Sequence, residues 1–171
     1  MRTAGNVFSI VCLALIVAVV STSGAKADDV IRIGTYDNRG VAIAYARSQY
    51  LPVMDAHAAY DKAEAAGDTA RMNEISGEME ALQRQLHRQG FGRVPVDDLL
   101  EPVAHRLPDL AADLELDAIV WICDFAGENV EIVDVTMDLV QLYDPSPETL
   151  EICGQIGDHE PVDLDDLDHD H

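Results

Sequence analysis

The sequence LDAIVWICDFAGENVEIVDVTMDLVQLY, Leu116 to Tyr143, carries strand, turn and helix signals in close succession. Ala118 to Cys123 is a continuous apolar run rich in β-branched and aromatic residues, short enough for a buried strand. Ala126-Gly127-Glu128-Asn129 supplies turn chemistry, because Gly and Asn tolerate the positive φ of a tight reversal. Val130 to Val133, interrupted by Glu131, reads as the return strand of a hairpin. Asp134 and Thr136 can each cap a helix, since their side-chain oxygens accept from unpaired N–H groups. That helix is expected over Met137 to Tyr143, ended by Asp144-Pro145.

The partner for this module lies upstream at Val30 to Tyr36, VIRIGTY, a strand bounded by Asp37-Asn38-Arg39-Gly40. About eighty residues of mostly helical sequence separate the two. The expected fold is α+β: a small, antiparallel-containing sheet from N- and C-terminal strands, a helical hairpin insertion and a C-terminal helix. With IRIGTYD near the start, LDAIVWI entering the second strand and VDVTMDLVQLY at the close, the chain resembles the Skp/OmpH family of periplasmic chaperones. The order of elements matches over most of Val30 to Tyr143. The resemblance implies a homotrimer joined through the small sheets, with Ile31, Ile33, Ile119, Trp121 and Ile132 at the sheet core. It also implies chaperone-like holding of unfolded envelope proteins by a projecting arm, with a non-chaperone structural or interaction module of the cell envelope as the alternative.

Residues 1–27 read as an export signal rather than as part of the fold. Arg2 is the positive start, Val7 to Val20 the apolar core, and Ala25-Lys26-Ala27 the cleavage site. The fourteen-residue core is short of the roughly 20 residues that span a bilayer. Cleavage before Asp28 predicts an exported, periplasmic protein without a membrane span, one domain over residues 28–157 and a tail over 158–171. Removing Arg2 and Lys26 leaves nine basic against 32 acidic residues, a charge of −23. Such a field repels nucleic acid and anionic lipid and favours basic proteins and divalent cations. It also departs from the family, whose best-known members carry basic client-holding arms.

The arm is expected at about residues 53–89. Val41 to Tyr50 is a short helix before Pro52, Val53 to Ala66 an alanine-rich one broken by Gly67-Asp68, and Ala70 to about Arg88 the next. Met72, Ile75, Met79, Leu82 and Leu86 form an apolar stripe along the last. The stripe reads first as the seam of the hairpin and alternatively as an adaptable client surface. Helices of about 14 to 20 residues reach only about 20 to 30 Å, a reduced arm. From Pro95 a further apolar helix runs to Leu114-Glu115, bending or restarting near Pro102 and Pro108.

Catalytic residues are not evident, and the chain does not read as an enzyme. Glu101, His105 and Asp109 are spaced i, i+4, i+8, one face of a helix if the segment is helical throughout, though the prolines intervene. His57 and His87 read as surface or packing residues. No Gly-rich phosphate loop, H-E-x-x-H or C-x-x-C is present, and no serine has a nucleophile's context. Cys123 and Cys153, the cysteines left after processing, are a candidate disulfide for an oxidising compartment, with buried or free thiols as the alternative. A bridge would stabilise the fold by about 3 to 4 kcal/mol through loop closure. The tail DHEPVDLDDLDHDH has seven acidic residues, three histidines and no base, a composition of disorder. It reads as solubilising, or as a weak divalent-metal binder through His159, His169, His171, Asp168 and Asp170. No other cofactor is implied.

Overall fold

A computed structural model describes residues 30–168. The expected export signal lies outside the described residues, as do His169, Asp170 and His171 of the expected metal set. In chain order come β1 (Ile31–Thr35), α1 (Asn38–Ala46), α2 (Val53–Ala66) and α3 (Thr69–Phe91). A short α4 (Asp97–Leu100), a 3-10 turn (Glu101–Arg106) and α5 (Leu107–Asp113) lead to β2 (Ala118–Val120) and β3 (Val130–Asp134). The chain closes with α6 (Thr136–Gln141), α7 (Pro147–Ile156) and α8 (Leu164–Asp168).

The three strands form one sheet in the order β2-β1-β3, and both pairings are parallel. This overturns the expected antiparallel-containing sheet and its β2-β3 hairpin. Ile33 sits between Ala118 on one side and Ile132 on the other, so β1 separates the two strands expected to pair. The cause is the early end of β2. It stops at Val120, leaving nine residues, 121–129, before β3. Nine residues can span about 30 Å extended, while a five-residue strand is only about 17 Å long. The connection can therefore return the chain to the start of the sheet. The Gly127-Asn129 turn is formed there (Val130 N–H donates to Gly127 O at 3.1 Å), but it launches β3 beside Ile31.

Pleating sorts the side chains. Gly34, Ile119 and Val133 face the helices; a Cβ on Gly34 would lie 3.0 Å from both Leu116 and Val135, so only glycine leaves them room. Ile31, Ile33, Val130 and Ile132 share the opposite face. Of the five residues expected at the sheet core, Ile119 and Trp121 pack toward the helices, while Ile31 and Ile132 are each 42% exposed. The core lies between α1, α4, the 3-10 turn, α6 and α7, where Val41, Val96, Val103, Val135, Leu139 and Val140 are fully buried. Tyr45 and Tyr50 meet the Tyr143 ring edge-on at 6.4 and 6.1 Å, and the buried Tyr143 hydroxyl donates to Leu99 O at 2.7 Å.

α2 and α3 form a hairpin turned by Gly67, whose φ of +68° caps α2 in the left-handed region that glycine favours. With 23 residues, α3 is about 35 Å long, beyond the expected arm. Ile75 is buried against α2, Met72, Met79 and Leu82 are half-buried, and Leu86 packs on the core. The stripe is thus the seam of the hairpin, not an exposed client surface. Residues 158–168 also differ from the expected disordered tail. Leu164 and Leu167 settle on the bare backbone of Gly92, where an added Cβ would meet Leu164 at 2.7 Å, and Val162 N–H donates to Phe91 O at 2.9 Å. Composition favoured disorder; two leucines and a complementary glycine outweigh it. No described helix is long and apolar enough to cross a membrane.

Candidate functional site

In parallel sheets the carboxyl ends of the strands open onto the loops that enter helices, and ligand crevices form there. Here the ends of all three strands border one cleft of about 470 Å³. β1 contributes Thr35 and the following Tyr36 to Arg39. β2 contributes Trp121 to Cys123, and β3 contributes Asp134, Thr136 and Met137. α7 closes a side with Cys153 and Ile156, and Arg93 and Pro161 stand at the rim.

The polar floor is a connected network. Asp37 caps α1 by accepting from Arg39 N–H at 2.9 Å, and the Arg39 guanidinium returns to the same carboxylate. Arg39 is 4% exposed and also donates to His159 O at 2.7 Å. Burial pushes the Asp37 carboxyl upward, but hydrogen bonds and charge from Arg39, with Arg93 adding, hold it below the usual carboxylate range. Asp37 N–H donates to Thr136 Oγ1 at 2.9 Å, and that hydroxyl donates to Asp134 Oδ1 at 2.6 Å. The ends of β1 and β3 are thereby joined. Buried Asn38 donates to Gln89 O and Gly92 O and accepts from the Trp121 indole at 3.3 Å, tying β2 and α3 to the same floor. Apolar walls come from Ile122, Ile132, Met137 and Ile156.

Chemically this floor is built to hold shape. The Asp37 and Arg39 charges answer each other, and the Thr136 hydroxyl is engaged on both sides. A second space of about 520 Å³ lies beyond Tyr36 and Trp121, lined by Leu100, Glu101 and Leu107. The Tyr36 phenol beside it is pushed up to about 12 by burial, with Asp97 adding, and stays protonated at neutral pH.

The residues singled out from sequence are not brought together into a catalytic or metal site. Glu101 and His105 fall in the 3-10 turn and Asp109 in α5. At three residues per turn, i and i+4 no longer share a face. His57 is exposed on α2, and His87 stacks on Phe91 at 4.8 Å. His159 precedes α8 and Asp168 ends it. Among the described residues no group of three His, Cys, Asp or Glu could hold a metal ion. Cys123 and Cys153 are both free thiols and both line the cleft. Asp37, Asn38 and Arg39, first read as the boundary of a strand, are the residues that the sequence reading missed. Their signal was a strand followed by a capped helix, which puts polar residues at a sheet's carboxyl edge. Comparison of the chain with protein families, with curated proteins and with solved structures returned no match.

Proposed function

We propose that the chain is an exported binding module that takes an extended, basic and partly apolar segment of another protein into the cleft at the carboxyl edge of its sheet. The observation that carries this reading is the cleft itself: apolar walls beside a polar floor in which Asp37 answers Arg39 and Asp134 accepts from Thr136. A site with its own charges satisfied favours apolar side chains over small ions. The acidic field of the molecule supplies the rest, drawing basic partners by long-range attraction. The test is calorimetry with a peptide of alternating Lys and Leu against one of alternating Glu and Leu. The Lys peptide binds and the Glu peptide does not. Its affinity falls at least about tenfold from about 0.01 M to about 1 M salt, as the Debye length shrinks from about 30 to about 3 Å. Equal binding of both peptides, or none of either, overturns the proposal.

A second reading follows the resemblance to the Skp/OmpH chaperones, with unfolded envelope proteins held by an assembly of several chains. The α2/α3 hairpin favours it, because α2 packs mainly on α3. Met54, at the start of α2 and far from the Gly67 turn, is 78% exposed. The acidic character of the chain favours the first reading.

A further inference from the structure

Cys123 and Cys153 are thirty residues apart in sequence, on unrelated elements, yet both face the same cleft. Cys123 lies on the connection between β2 and β3. Its thiol is half-buried and bonded only locally, to Phe125 O at 3.2 Å. The connection has no regular structure, and Asp124 to Asn129 are exposed, with Phe125 85% so. Cys153 is 2% exposed on α7, a rigid wall, with its thiol toward Gly40 O at 3.5 Å. One thiol is thus on a segment with little to hold it, and the other is fixed across the cleft.

We infer that Cys123 and Cys153 form a reversible intrachain disulfide that straps the β2–β3 connection onto α7 and closes the cleft. A disulfide needs Cα atoms about 4.4 to 6.8 Å apart, and the exposed connection is the element that moves to meet it. The oxidant is a small disulfide, or an oxidoreductase of the same chemistry. The accessible Cys123 thiolate attacks its S–S bond, forming a mixed disulfide and releasing one thiolate. The Cys153 thiol then loses its proton and attacks Cys123 Sγ, releasing the second thiolate. Two protein thiols become one disulfide, and the oxidant leaves as two thiols that carry the two protons. Trp121, the single tryptophan of the chain, lines the cleft two residues from Cys123 and reports the change. The inference rests on the cleft as the binding site only for its consequence, not for the bond.

The experiment treats the protein with oxidised glutathione, followed by thiol alkylation, peptide mass mapping and Trp121 fluorescence. The expected product is a monomer lighter by two hydrogens, with one cross-linked peptide pair containing residues 123 and 153. Trp121 emission is quenched at least about twofold, and dithiothreitol reverses it. C123S, at the partly exposed position, abolishes the bridge without affecting the fold; C153A does so from the other side. Glutathione retained on Cys123, a disulfide between two chains, or two thiols that stay alkylatable in the folded protein would each overturn it. Binding of the Lys-Leu peptide is then compared in the two redox forms. At least a tenfold loss on oxidation supports closure. Unchanged binding overturns closure while leaving the bond itself established, and absence of binding to either form counts against the binding reading alone.

Discussion

At the scale of the residue, Arg39 is the buried charge among the described residues. It is 4% exposed and its carboxylate partner among the described residues is Asp37. Removing one member of a buried pair leaves the other unanswered, at a cost of about 3 to 5 kcal/mol. D37N should therefore lower stability by about 3 kcal/mol in urea melts. Asp37 also sets a pH dependence. Its folded-state pKa lies below the unfolded one, so its contribution is complete above the unfolded value, about 3.9. It is lost as pH falls through the folded value. Wild type should lose stability more steeply than D37N across that acid limb. Parallel urea midpoints from neutral pH into the acid range check this, and equal slopes would contradict it. The chemistry of this pair was written in the sequence as a cap signal, D-N-R after a strand. Its burial was not, because that depends on His159 arriving 120 residues later.

At the scale of the element, α1 approaches α6 through Gly40. A Cβ there would lie 2.8 Å from Thr136 Cγ2, the residue whose hydroxyl joins the ends of β1 and β3. G40A should cost about 1 to 3 kcal/mol by overpacking and loosen the cleft floor. An unchanged thermal midpoint would show that α1 and α6 can part without penalty. Elements were legible where local chemistry defines them. The strands show as β-branched runs, the hairpin turn as Gly67-Asp68, and the segment after Pro95 breaks near its prolines. Strand direction was not legible, because period-two alternation is the same for parallel and antiparallel pairing. The Gly127-Asn129 turn read as a hairpin only while β2 was taken to reach Cys123; it stops at Val120. The order over residues 158–168 was hidden for a similar reason. Leu164 and Leu167 find their contact at Gly92, more than seventy residues away.

At the scale of the whole molecule, an acidic chain presents an outer sheet face with Ile31 and Ile132 exposed. The resemblance to the chaperones implies that second and third copies cover that face. Light scattering should then give three times the chain mass, and I31D should reduce it to one. A wild-type monomer would remove the chaperone-like reading and leave the cleft reading standing. The peptide-binding reading does not need the assembly, since the residues of one chain suffice to form the cleft.

Amide chemical-shift mapping during titration with the Lys-Leu peptide tests most directly where a partner binds. The account predicts that the largest shifts fall on the Trp121 indole, Cys123, Thr136, Met137 and Ile156, around the cleft. Shifts confined to α2 and α3, with the Trp121 indole unmoved, would contradict it and return function to the arm.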